Sequence, residues 1–442
     1  MRLFARALLI SAFFINLTTQ VMAGGYIRDA EIENLLRDYT NPIFLAAGLS
    51  PKKVKIALID DRRINAFVAG GQNIYVHTGL ILEADSPNMV IGVMAHETGH
   101  ITGGHLARMR EAMENASRPA ILATILGIGA IAAGQADAGM AILSGGTQIA
   151  QRSFLTYSRA QESAADQVAI DLLERTKQSP KGIRDLMDHL ADQEILSEVN
   201  QDPYIRSHPI SRDRANFYEN ALNNSPYGTA ADDPALVRRH KLAQAKIYGF
   251  LDHPRNTFRR YGNQTDTPAL YAKAIAYHKQ SKLSESLELI DTLIARQKEN
   301  PYFYELKGQV LFEAGKPLAA IAPYRMSLSL NPDEALLQIG LATSLIATEQ
   351  SNYVAEAIQI LNEAIKLDPD NTTAYYQLSL AYGLSNNPGF AELATAERFY
   401  LYGASAKAST HAKRAEKLLK KGSPAWLRAK DILNAAKENK SR

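Results

Sequence analysis

The sequence predicts an α+β domain, mostly helical with a small sheet, followed by an all-α solenoid of helical repeats. Three observations carry this expectation. In the first half, short runs suited to strands, Ile56 to Ile59 and Asn73 to Val76, stand among long helical patterns. An apolar helix running from Met89 leads directly into two histidines four residues apart, His96 and His100. In the second half every pattern is helical, and Asn300-Pro301, Asn331-Pro332 and Asp368-Pro369 recur at spacings of 31 and 37 residues. Those spacings bracket the period of about 34 residues that marks helix-turn-helix tetratricopeptide units.

The chain has 442 residues, 46% hydrophobic and 21% charged, a globular composition that excludes a disordered tail protein or a collagen. Its 49 bases and 46 acids leave a net charge of +3, too little for nucleic acid to be expected as a partner. The first 23 residues read as an export leader: Arg2 and Arg6, the apolar run Ala7 to Ile15, then Val21-Met22-Ala23. Cleavage after Ala23 is expected, because the run is short for a membrane span of about 20 residues. The remaining chain would carry 47 bases against 46 acids. With no cysteine, neither disulfides nor a thiolate metal site can hold it, and the expected compartment is the periplasm.

Residues 24–222 are expected to form the first domain, 223–233 a linker rich in turn formers that ends near Pro234, and 234–442 the repeats. Ser86 suits an N-cap and Pro87 the first helical position, with Met89 to Ala95 apolar up to His96-Glu97-Thr98-Gly99-His100. Residues four apart share a helix face, so both imidazoles can reach one metal ion while Glu97 serves as general base. The domain therefore reads as an α+β zincin-type metalloprotease domain with one zinc ion per chain. Two histidines leave such a site one protein ligand short. His105 falls one residue before position 106, occupied by Leu106, where a further histidine would complete a longer motif. That offset turns a side chain by roughly 100°, so His105 is expected to be structural or to support a ligand. Glu162 is the stronger candidate, set among helix formers in Arg159 to Asp166, with Asp166 one turn later, able to orient a ligand histidine. Between the two motifs, Pro119 to Ala150 contains the uncharged run Ile121 to Ala133 and then Ala138 to Leu143. It reads as an apolar helical hairpin, buried, resting on a membrane surface or covering a cleft, with a transmembrane hairpin as the alternative.

The pairing of His96-Glu97-Thr98-Gly99-His100 with the later Glu162-Ser163-Ala164-Ala165-Asp166 resembles the zinc peptidase family that includes HtpX and the CAAX-processing proteases. Asn65 to Val68 and Ile74 to Leu80 look like that family's strand region, and Ser207-His208-Pro209 with Arg214 looks like its His-Pro loop. The family often has a second acid where this chain has Ala164, which removes an outer carboxylate but no ligand. The resemblance implies peptide hydrolysis with His208 or Arg214 as oxyanion donor. For His208 an opposite role also stands, as a reversible plug on the metal's fourth position. Substrate is expected to lie extended beside Asn73 to Val76, and His77 to be structural.

With Pro332 closing one repeat, Tyr304, Gly308, Ala320 and Tyr324 fall at its aromatic and small-residue positions. For Pro369 the small residues are Ala357 and Ala364, with three extra residues expected in the turn near Glu349 to Asn352. A stack of such units leaves a groove suited to a protein partner. An export leader in front of this peptidase motif and repeats behind it imply, by the same resemblance, quality control of unfolded or misassembled outer-membrane proteins. The implied docking partner is the outer-membrane β-barrel assembly machinery. The alternative is a chaperone or docking scaffold in which proteolysis is latent. Residues 404–442 hold eleven bases against three acids, read as a solvated helical face, with peripheral contact to lipid or an acidic partner as the alternative.

Overall fold

The computed structural model describes residues 25–105, 107–108, 158–191, 204–205, 208–209 and 211–441. The expected leader and the apolar hairpin Pro119 to Ala150 lie outside the described residues. No helix among the described residues is long and apolar enough to cross a membrane. The chain divides into two compact units between Gln244 and Ala245.

The first unit contains four strands, β1 (Tyr26–Ile27), β2 (Lys55–Ile59), β3 (Ala66–Ala69) and β4 (Asn73–His77), in the order β1-β2-β4-β3. β4 runs parallel to β2 and antiparallel to β3, with Phe67 opposite Tyr75. Alternation along each strand buries Ala66, Leu58, Ile74 and Val76 on one face. The other face carries Phe67, Tyr75 and the exposed Tyr26. The expectation that substrate lies beside Asn73 to Val76 is corrected by this order. β4 is hydrogen-bonded on both flanks and has no open edge, whereas β3 ends the sheet among the described residues.

Around the sheet lie α1 (Ala30–Ala46), α2 (Thr78–Glu83), α3 (Pro87–Thr102), α4 (residues 158–175), α5 (Lys181–Ala191) and α6 (Arg212–Asn224). Pro87 opens α3, and every residue from there to Gly99 is buried, so the helix forms the centre of the unit. Two close approaches hold it. A Cβ on Gly99 would lie 2.8 Å from the Ala165 carbonyl oxygen of α4, and one on Gly182 would lie 2.3 Å from the Asn88 carbonyl carbon. Asn88 Oδ1 also accepts the Gly182 N–H at 2.7 Å, fixing the start of α3 to the start of α5. The expected linker, 223–233, leads into α7 (Pro234–Leu251), whose early turns pack within the first unit. There His240 takes the Tyr39 hydroxyl on Nδ1 at 3.0 Å and lies 3.1 Å from the Ala84 carbonyl through Nε2, while Gln244 donates to Ile81.

After the end of α7 and a short helix, Pro254–Tyr261, the second unit continues as helix pairs whose first members start at Thr267, Pro301, Ala335, Thr372 and Ser405. Small residues set their spacing. Tyr324 lies between Gly308 and Gly340, at each of which a Cβ would come within 2.6 Å of its ring, and Ala320, Ala357 and Ala364 are fully buried. The extra residues of the third pair were expected in its turn. They lengthen its second helix instead, Ser351–Leu367 with 17 residues against 14 in Pro317–Leu330. Ser351 and Asn352 favour turns, yet they are accommodated in a helical first turn, where a polar side chain costs least.

Substituting Gly182→Ala should destabilise the first unit by about 1–3 kcal/mol, since the added carbon meets backbone that has no rotamer to yield. Urea denaturation followed by circular dichroism measures it, and an unchanged midpoint would show that α3 and α5 can separate freely.

Candidate metal centre

The close crossing at Gly99 and Ala165 sets the histidines of α3 against the carboxylates of α4. His96 and His100 share one face of α3, with their Nε2 atoms 3.1 Å apart. Glu162 faces both, Oε2 at 3.3 Å from His96 Nε2 and Oε1 at 3.3 Å from His100 Nε2. His208 enters from the segment before α6, its Nδ1 3.3 Å from His96 Nε2 and 3.1 Å from Glu162 Oε2. The ligand atoms of these four residues lie within 4.8 Å of one another.

A divalent cation fits this donor set. Three imidazole nitrogens and a carboxylate converge in a buried place, and their mutual distances are those of groups that share one small partner. Glu97 supplies a second test of the fit. It is completely buried on α3, the Val68 amide of β3 is the one backbone donor that acts on it among the described residues, and no side chain there makes it a well-formed hydrogen bond. Burial pushes its pKa up. The Val68 amide of β3 and His208 Nε2, 3.3 Å from Oε1, stand beside it. An acceptor so placed calls for a proton-bearing partner at the metal.

The ring nitrogens turned away from the centre are held in turn. His96 Nδ1 lies 2.9 Å from Asp166 Oδ1. Burial opposes a proton on His96, but the Asp166 and Glu162 carboxylates outweigh it and raise its pKa to about 9. Burial pushes His100 down to about 3, only partly offset by Glu162. The other ring nitrogen of His100 meets His105 Nδ1 at 2.9 Å, so His105 braces a histidine of the cluster instead of joining it.

Arg214, near the start of α6, binds Asp166 with two parallel hydrogen bonds, Nε to Oδ2 at 2.7 Å and Nη2 to Oδ1 at 2.8 Å. Its Nη1 lies 3.1 Å from Glu162 Oε2 and donates to the carbonyls of His208 at 3.3 Å and Pro209 at 3.0 Å. Arg214, expected as an oxyanion donor, is engaged by the two carboxylates and the His208 loop through Nε, Nη1 and Nη2. Burial would raise the carboxyl pKa values of Glu162 and Asp166. The surrounding imidazoles, with Arg214 on Asp166, hold both well below the usual carboxylate range.

Two tyrosines escaped the sequence reading. Tyr218 donates its hydroxyl to Asp166 Oδ1 at 2.5 Å, and Tyr204 stacks on the His208 ring at 4.6 Å between centroids. Each stands four residues from a residue already singled out, Tyr218 after Arg214 and Tyr204 before His208, which is the one signal that could have found them. His77 stays outside the cluster, with Nδ1 3.6 Å from Asp61 Oδ2.

Residues 27–221 match the model of Peptidase family M48, and residues 271–335 match that of the tetratricopeptide repeat. The chain is 29% identical over 342 residues to the beta-barrel assembly-enhancing protease of Yersinia pestis, a match covering 74% of this chain and 68% of that protein. It is 26% identical over 386 residues to the protease of the same name from Escherichia coli K12, covering 84% of this chain and 76% of that one. Metalloprotease LoiP of Escherichia coli K12 is 29% identical over 175 residues, covering 39% of this chain and 64% of that protein. The chain is a metalloprotease, its first part matching the M48 peptidase model and its second part formed of tetratricopeptide-type helical repeats.

Replacing Asp166→Asn should weaken metal affinity about 10- to 100-fold by loosening the orientation of His96. Competition with a chromogenic chelator measures it, and unchanged affinity would show that the Nδ1 contact does not orient the ring.

Proposed function

We propose that this metalloprotease is an exported, zinc-dependent endopeptidase of the periplasm that cuts unfolded or misassembled outer-membrane proteins. Its repeats would dock it to the outer-membrane β-barrel assembly machinery. The convergence of His96, His100 and Glu162 beside the buried Glu97 carries the chemical part of this reading. The names of the assembly-enhancing relatives support the substrate class, and the leader-like run Ala7 to Ile15 supports the compartment.

His96, His100 and Glu162 would hold the zinc. When bound, it supplies Lewis acidity toward the scissile carbonyl and lowers the pKa of a water molecule toward neutrality. Glu97 takes the proton of that water on a carboxylate oxygen and returns it to the departing amine nitrogen. Burial favours this role, because a carboxylate whose pKa is pushed up accepts a proton more readily. Asp166 keeps His96 turned toward the ion, and Arg214 holds Asp166, Glu162 and the His208 loop in register, as a positioning residue. Substrate is read as an extended strand on the side of β3 away from β4, beside Val68 and Glu97.

His208 is read as a resting-state occupant of the fourth position, because its Nδ1 stands among the ligand atoms. The rival role, oxyanion donor, is favoured by its Nε2, which lies next to Glu97. The scaffold reading, with proteolysis latent, differs from both in needing no Glu97.

The purified protein should hold about one zinc per chain. Glu97→Gln should keep the metal and lose hydrolysis of an unfolded substrate, since the amide accepts no proton. Full proteolysis in that variant would end the mechanism, whereas an intact cellular role without proteolysis would favour the scaffold. His208→Ala should raise basal cleavage if the residue occupies the fourth position, and lower it if it is a donor, as read from initial rates at matched metal content.

A further inference from the structure

The outward face of the sheet carries a row of rings that the mechanism does not use. The Tyr26 and Tyr75 centroids are 6.0 Å apart, Tyr75 stacks on Phe67 at 5.2 Å and 19°, and Phe67 meets His77 edge-on at 6.0 Å. The row crosses from β1 to β3 and ends at Phe67, because β3 is the last strand among the described residues. Phe67 is only half-buried.

Backbone direction on β3 follows from one hydrogen bond. The His77 N–H donates to the Asn65 carbonyl at 2.9 Å, so residues 65 and 67 turn their backbone groups toward β4. Ala66 and Val68 turn theirs to the opposite side, where Val68 stands by Glu97. A strand added antiparallel on that side would oppose Phe67 in a non-hydrogen-bonded pair. Such pairs bring Cα atoms to about 4.5 Å and their side chains closest together. The aromatic row would then continue by one ring, contributed by the substrate.

We propose that Phe67 determines substrate specificity by selecting an aromatic or β-branched side chain at the substrate position directly opposite it. Selection is weaker two residues to either side and absent at the positions between, whose side chains leave by the other face of the sheet. The proposal rests on the reading of β3 as the strand that substrate joins.

The test uses pairs of unfolded peptides identical except for Phe or Ala at one of several successive positions around the scissile bond, digested by the full-length protein. The ratio of kcat/KM for Phe over Ala should reach about threefold at one position and fall off with a period of two. Phe67→Ala should remove the preference and Phe67→Tyr should retain it. Should Phe67→Ala not fold by circular dichroism, Phe67→Leu takes its place and should lower the ratio while keeping an apolar surface. A preference that these variants leave unchanged, or a profile without alternation in the wild type, overturns the proposal. Alternation that the Phe67 variants leave unchanged would overturn the role of Phe67 alone, whereas a profile without alternation would overturn the strand reading on which it rests, so the two failures are distinguishable.

Discussion

One buried carboxylate, that of Asp166, holds the first unit together around its chemistry. It meets the His96 ring from α3, the guanidinium of Arg214 and the hydroxyl of Tyr218 from α6, while itself belonging to α4. Three helices distant in sequence are thus joined at two oxygen atoms. A carboxylate taken out of water costs several kcal/mol unless its lone pairs are met, and here each oxygen is met. Removing Arg214 would leave this buried charge without its cation, which ties the polar centre of the unit to one guanidinium. Arg214 extends the same logic to Glu162 and to the carbonyls of His208 and Pro209, so the loop and the helix pair answer to one cation.

The dense packing of α3 is the counterpart of that polar centre. An HExxH helix buried along almost its whole length has little freedom to adjust, and its neighbours must come to it. Gly99 and Gly182 permit this, since at each a single methyl group would collide with another segment's backbone. The two middle positions of the motif are therefore not interchangeable. Thr98 satisfies its hydroxyl on the Met94 carbonyl within the helix, while Gly99 decides how closely α4 approaches.

Much of the candidate site was readable because its signals are local. A four-residue spacing fixes a shared helix face, which is why His96 and His100, and separately Glu162 and Asp166, could be paired before any fold was known. The links between the pairs were not readable in the same way. That Arg214 engages Asp166 depends on a contact across 48 residues, and no periodicity reports it. The position of β4 inside the sheet was illegible for a related reason: alternation along a strand says which face is buried, but the order of strands is set by pairing partners elsewhere in the chain. In the repeats, Ser351 and Asn352 carried turn propensity that the helix absorbed, and tertiary packing of Val354, Ala357 and Leu361 prevailed over it.

The wide separation of the site's parts bears on when in its life the molecule can be dangerous. His96 and His208 meet across 112 residues, and the brace on Asp166 closes only once α6 has docked. Contacts of such sequence separation come late in folding, after the entropy of closing long loops has been met. An unfolded or half-folded chain therefore has two imidazoles on a stretch of α3 but no third ligand, no oriented His96 and no gathered pocket. The gathered site is thus a property of the completed fold and not of any one segment of the chain.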